Sequence, residues 1–189
     1  MKKQIVSSLD YGLLVEDSEI IFDLTNEKVV TIPTETVEGY AAPLNSKKAI
    51  RELMRLKDRG FDSGKVFTLV PRNKTEIKKY AIVPKAAQKL IDQHIPGELT
   101  LILPKNPDFK HFYYDHFDTI GIRIPALDCF LQILEAFDEP LVLTSANPRG
   151  GTPKSLTGHK PSTIIDFTNK IPKVIRQGNL EINLNDYID

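Results

Sequence analysis

Six polar residues stand at or just past the ends of apolar runs and carry side chains suited to anions: Lys57, Arg59, Arg123, Ser145, Asn147 and Arg176. Lysine neutralises phosphate as a point charge, and the planar arginine fork takes carboxylate or phosphate with two parallel hydrogen bonds. Ser145-Ala146-Asn147 follows an apolar run directly and offers two small hydrogen-bonding side chains. Such turns bind anions, although a plain Ser or Asx turn is their default role. Thr34, Glu35 and Thr36 come after Val29-Val30-Thr31-Ile32 and Pro33. Pro33 removes a backbone donor and stops the strand, which presents these three residues at its end, where open α/β sheets bind ligands. Arg123 lies in an alternating run with Ile120, Ile122 and Ile124 and shares its side with Thr119 by the period of two. Taken singly, each of these residues is more often a surface arginine or an ordinary turn.

Other chemistries find no support. There is neither a P-loop nor a GxGxxG stretch, and no GxSxG elbow. His94, His111, His116 and His159 show no zinc spacing with one another or with Cys129. His111, Asp115 and His116 are close enough in sequence to share a metal, but a polar loop is the plainer reading. Cys129 sits in the apolar stretch Cys129-Phe130-Leu131 and reads as buried and inert. Covalent catalysis is therefore disfavoured, and one cysteine leaves no internal disulfide, which points to a reducing compartment.

Several elements must position the anion-binding side chains. Glu16 to Asn26 has Ile20, Ile21 and Leu24 at helical spacing, and Val29 to Ile32 reads as a strand. Ser46 is a fitting N-cap for a helix through Ala49, Ile50, Leu53 and Met54, expected to end near Asp58 to Gly60 with Gly60 as a left-handed cap. Lys57 and Arg59 then emerge where that helix gives way to a loop. Val66 to Val70 reads as a strand, Thr75 as the cap of a short helix, and Lys85 to His94 as a longer one broken by Pro96-Gly97. Leu99 to Leu103 and Thr119 to Ile124 read as strands, with Asn106 to Asp118 between them as an aperiodic loop. Phe130, Ile133, Leu134 and Phe137 mark a helix, Leu141 to Thr144 a buried strand, and Ser162 to Phe167 and Lys173 to Arg176 two short strands. Strands alternating with helices argue for a single α/β domain with a mixed sheet over residues 1–189, with 179–189 as a loose polar tail.

Composition sets bounds around this. Apolar residues make up 41% of the 189, enough for a core, and 25 basic residues balance 25 acidic ones, so no global field favours nucleic acid or membrane. Charge is nevertheless uneven: Asp10 to Glu38 holds eight acids and one base, and Lys47 to Lys89 thirteen bases and four acids. The basic segment either faces phosphates or forms solvated helix surface. No apolar run approaches membrane-spanning length and no signal-peptide core is present, so the chain is expected in the cytoplasm.

PTETVEGY, LKDR, PGELTLIL, TIGIRIP, LVLTSAN, PSTIIDF and VIRQG occur in one order from Val29 to Gly178. Together they resemble the threonylcarbamoyl-AMP synthase family, the YrdC-like proteins. The resemblance implies a twisted mixed α/β sheet with flanking helices and a large, positively lined concave groove. It also implies an activity: L-threonine, bicarbonate and ATP, with Mg²⁺ expected from ATP chemistry, give threonylcarbamoyl-AMP and pyrophosphate, and partner proteins pass the group to tRNA. Residue by residue, Thr34 and Arg123 match threonine contacts, with Arg123 on the carboxylate. Lys57, Arg59, Thr119, Ser145, Asn147 and Arg176 match nucleotide and phosphate contacts, and Lys57 and Arg59 stabilise charge in the reaction. The chain departs from the usual family pattern at Glu38, Gly60, Thr68 and Arg149 and in a short 153–161 segment. Two other readings compete. One is a non-catalytic RNA-binding module that keeps the groove, with salt-sensitive affinity; the other is a related former of carbamoyl-adenylates from another substrate.

Overall fold

A computed structural model of the chain describes residues 19–148, 150–155 and 158–187. Eight strands form one open mixed sheet in the order β1-β2-β6-β3-β5-β4-β7-β8. They are β1 (Val30–Ile32), β2 (Gly39–Pro43), β3 (Thr68–Val70), β4 (Leu99–Pro104), β5 (Thr119–Ile122), β6 (Leu141–Ser145), β7 (Thr163–Asp166) and β8 (Lys173–Arg176). β3 with β5 and β4 with β7 pair in parallel, and the other neighbours are antiparallel. Helices α1 (Glu19–Thr25), α2 (Lys47–Leu56), α3 (Ile77–Tyr80), α4 (Lys85–His94) and α5 (Asp128–Phe137) flank it. This is the expected mixed α/β architecture. Among the described residues no helix is long and apolar enough to cross a membrane.

The two faces of the sheet differ, and register shows how. Ala42, Val142, Leu69, Ile122, Leu101 and Ile165 are successive cross-strand neighbours, and all are fully buried. That face is the core. On the other face Leu143, Thr68, Gly121 and Ile102 pair across β6, β3, β5 and β4. Thr68 and Ile102 there are only half-buried. Side chains two residues on share a face, so Ser145, Thr119 and Arg123 project from this half-open side. Thr100, Ile164 and Arg176 join them, because Thr100 pairs with Ile164 and Ile164 with Arg176.

Several local expectations change. β2 has no strand signal, since Gly, Ala and Pro are poor strand formers; pairing with β1 and β6 on both sides makes it one. Ser46 caps α2 as expected, its Oγ accepting from the Ala49 amide at 3.0 Å. The left-handed residue at the far end is Asp58 (φ 43), not Gly60. The Asp58 amide donates to Arg55 O and the Arg59 amide to Met54 O, which closes the helix two residues early. Asn73, rather than Thr75, caps the turn leading into α3, accepting from the Thr75 amide. The α1 expectation holds over Glu19–Thr25, and residues 16–18 lie outside the described residues. In residues 179–187, expected as a loose tail, Thr163 Oγ1 donates to Leu180 O and Tyr187 Oη to Gln93 Oε1.

The largest difference is Asn106 to Asp118, expected as a polar loop. Tyr113 and Tyr114 within it are fully buried. Tyr114 Oη donates to Phe67 O at 3.2 Å, and the Phe67 amide donates to Tyr113 Oη at 3.1 Å. His111 anchors the start: its Nε2 lies 2.8 Å from Leu44 O, and its Nδ1 accepts from the Tyr113 amide. A ring nitrogen facing a carbonyl must be the donor, so His111 is the neutral Nε2–H tautomer. Burial pulls its pKa down and keeps it neutral.

Candidate functional site

α2 delivers Lys57 and Arg59 to a pocket of about 150 Å³. Ser63, Lys65, Ser145, Asn147 and Gly150 complete its lining. Four of the expected nucleotide residues therefore meet around one cavity, with a third cation, Lys65, beside them. Lys65 and Ser63 had no periodic or motif signal; only their place in the basic 47–89 segment hinted at them.

Lys57 is 3% exposed and hydrogen-bonds into the Ser145–Asn147 turn. Its Nζ donates to Ser145 O at 2.8 Å, to Asn147 O, and to Asn147 Oδ1 at 3.2 Å. An ammonium has three donors, so the turn takes all of them, and the positive charge is held at the pocket wall. Desolvation, then the nearby Arg59, lowers the pKa of Lys57. Its position at the C-cap of α2 favours the cation, since helix carbonyls point there. Asn147 finishes the turn by donating from Nδ2 to Pro148 O and Gly151 O.

Arg59 rests on an aromatic platform. Its guanidinium carbon lies 4.9 Å from the centre of the Phe67 ring, a cation–π distance. Phe67 stacks on Tyr113 at 5.2 Å, and both its backbone groups are bonded to Tyr113 and Tyr114. The two buried tyrosines of the 106–118 segment thus fix the ring that Arg59 rests on. Burial raises the Tyr113 hydroxyl pKa to about 12, so it stays a neutral partner.

Thr34 and Arg123 belong to a second cluster and are not among the residues lining the pocket. Thr34 Oγ1 donates to Val37 O at 2.7 Å and accepts from the Thr36 and Val37 amides. Its single proton is spent on that carbonyl. In the 3.0 Å contact between the two hydroxyls, Thr36 Oγ1 must then be the donor. Arg123 Nη2 donates to Thr36 Oγ1 at 3.0 Å and Nε to Gly97 O at 3.2 Å. Nη2 also lies 2.9 Å from Glu35 Oε1 in an ion pair with side chains 7% and 16% exposed. A Cβ on Gly97 would sit 2.4 Å from His94 O, so only glycine places this carbonyl under Arg123.

Arg176 donates from Nε to Ser162 O and from Nη2 to Ser162 Oγ, and Thr100 Oγ1 lies 2.9 Å from that Oγ. Desolvation, then the charge of Arg123, lowers the Arg176 pKa. Thr119 opens β5 opposite Pro104. It shares the half-open face with Ser145 and Arg123 but lines no part of the pocket. One bond joins the clusters, and a second holds the 33–38 turn to Ser155. The Ala146 amide donates to Glu38 O at 2.7 Å, and Ser155 Oγ donates to Thr36 O at 2.8 Å. Glu38 itself pairs with Lys154 at 3.3 Å. Arg149 lies outside the described residues.

Among the described residues no three His, Cys, Asp or Glu side chains gather as metal ligands. His111 and Asp115 instead hold their own segment, with Asp115 2.7 Å from Lys105.

The sequence model of the family described as Telomere recombination, Sua5_yciO_yrdC, matches residues 23–157. A threonylcarbamoyl-AMP synthase of Buchnera aphidicola is 34% identical over 133 residues, covering 69% of this chain and 75% of that protein. The structure of Sua5 from P. abyssi complexed with L-threonine superposes with a TM-score of 0.72 at 25% identity, over 85% of this chain. The chain spans about half of that Sua5, 53%. E. coli YciO shares the fold over 90% of this chain and 91% of its own, with a TM-score of 0.73 and 23% identity.

Proposed function

Since this chain belongs to the Sua5/YciO/YrdC family, we propose that it is a threonylcarbamoyl-AMP synthase, a nucleotidyltransferase that joins L-threonine, bicarbonate and ATP. Threonine nitrogen bonds to the bicarbonate carbon as a C–O bond of bicarbonate breaks and water leaves, giving a carbamate. A carbamate oxygen then bonds to the α-phosphorus of ATP as the bond to pyrophosphate breaks. Both reactants are anions, so catalysis here is positioning and neutralisation. The observation that carries the proposal is the gathering of Lys57, Arg59 and Lys65 with Ser145 and Asn147 round one pocket. Arg123 projects from the same half-open sheet face as Ser145, and Arg176 from that face at the edge strand β8.

In this reading Arg59 and Lys65 contact phosphate, and Lys57 supplies charge while fixing the turn that Ser145 and Asn147 form. Arg123 takes the threonine carboxylate; Thr34 acts by shaping the turn that holds Thr36 and Glu35 against it. Arg176 and Thr119 extend the nucleotide side. Mg²⁺ would come with the triphosphate and would neutralise phosphate charge there; among the described residues no three His, Cys, Asp or Glu side chains gather to hold an ion. The continuous sheet supports one working domain. The lone buried Cys129 supports a reducing, cytoplasmic setting, where tRNA-modifying partner proteins would receive the product.

The test is pyrophosphate release from ATP with threonine and bicarbonate supplied together and singly. Release that requires both is the expected result. Release without threonine, or none at all under any condition, overturns the assignment.

A further inference from the structure

The ion pair between Arg123 and Glu35 has a consequence for substrate entry. Arg123 reaches into the turn of residues 33–38, and one of its Nη2 contacts is already a carboxylate, 2.9 Å away. The pair is largely shielded from water, with side chains 7% and 16% exposed. A second carboxylate brought to Arg123 would lie against the first in a poorly solvated space, where two like charges repel strongly.

We propose that Glu35 is a built-in competitor for the carboxylate of the amino-acid substrate and sets the affinity and selectivity of Arg123 for it. Resting on the function proposed above, the idea makes Glu35 a specificity-determining residue rather than a catalytic one. An incoming carboxylate takes over Nη2 and Glu35 turns aside. Thr36 Oγ1 and Gly97 O keep their hold on Arg123 meanwhile, so the guanidinium stays in place during the exchange. A weakly held carboxylate cannot displace Glu35, which raises the threshold for adventitious monocarboxylates.

Glu35→Gln keeps the shape and removes the competing charge. Its KM for L-threonine is expected to fall about fivefold to tenfold, with the KM for ATP within about twofold of the parent. In the parent protein, acetate is expected to protect poorly against thermal unfolding; in Glu35→Gln it should protect clearly better. Glu35→Asp, which shortens the reach, should lie between the two and serves if the Gln protein does not fold. Unchanged or higher threonine KM, with no gain in acetate protection, would overturn the proposal and leave Glu35 an ordering element of the turn. The acetate measurement needs no turnover. A parent protein without threonine-dependent pyrophosphate release would therefore refute the functional reading while this competition was still decided.

Discussion

Lys57 has three donors, and Ser145 O, Asn147 O and Asn147 Oδ1 accept all of them. Lys57→Ala therefore removes a charge from the pocket and strands three acceptors as well. A loss of about 1–3 kcal/mol in urea denaturation is expected, together with lower pyrophosphate release. Unchanged stability would mean the turn does not depend on the ammonium. Arg123 is a different case, since its fork spans Gly97 O, Thr36 Oγ1 and Glu35. Lysine cannot span that fork, so Arg123→Lys should raise the threonine KM by about tenfold or more and leave ATP nearly unaffected. Equal rises for both substrates would contradict its place on the amino-acid side. Thr34 shows the limit of residue type alone. A threonine at a strand end is as fit for a ligand as for a turn, and only the structure reveals its bond to the Val37 carbonyl.

The 106–118 segment shows how an element without regular structure can control a site. Its two tyrosines bracket Phe67, and Phe67 carries Arg59. Tyr114→Phe removes one buried hydrogen bond and leaves Phe67 O unpaired, so stability should fall by about 1–2 kcal/mol in urea denaturation. The KM for ATP should rise as the platform loosens. A stable variant with unchanged nucleotide affinity would separate the tyrosines from the site. None of this was legible beforehand, because aperiodic aromatic residues look alike in a packed loop and in a solvated one. By contrast, α2 was legible from its cap to its apolar stripe, and with it the emergence of Lys57 and Arg59 at the helix end; that they meet the Ser145–Asn147 turn is a tertiary contact. β2 was hidden for another reason. Its Gly-Tyr-Ala-Ala-Pro has no intrinsic preference to read, and its neighbours on both sides impose the extended form. Ser63 and Lys65 lie on a short 3-10 turn and the loop after it, where spacing carries no information about direction.

At the scale of the molecule, a charge cluster remote from the pocket ties separate parts of the fold together. Glu76, 4% exposed, accepts from Arg72 and Lys79, and Arg72 also bridges to Asp138 at the end of α5. Hydrogen bonding from Arg72 is the main influence holding the Glu76 pKa down to about 2, against 4.5 unperturbed. A depressed carboxylate stabilises the fold above its unfolded pKa. That contribution is fully present at neutral pH, begins to fade near pH 4.5 and is gone below about pH 2. Because Arg72 and Lys79 are solvent-exposed, its size is about 1–2 kcal/mol. Denaturation midpoints measured from pH 6 to 3 should fall more steeply in the parent than in Glu76→Gln. Parallel curves would remove the cluster from the stability of the fold. Residues 72, 76 and 79 pair at local i,i+4 and i,i+3 spacings, whereas Asp138 joins them only through tertiary contact, which the chain's even overall charge conceals. One last feature reaches further. Residues 36–38 are stitched to the Ser145–Asn147 turn on one side and to Ser155 on the other. On the proposed function, an amino acid that shifts those residues also shifts the Ser145–Asn147 turn, and thermodynamic reciprocity then requires the influence to run equally both ways. Titrating threonine with and without a non-hydrolysable ATP analogue, and the analogue with and without threonine, should return the same ratio of dissociation constants, and that ratio should exceed one.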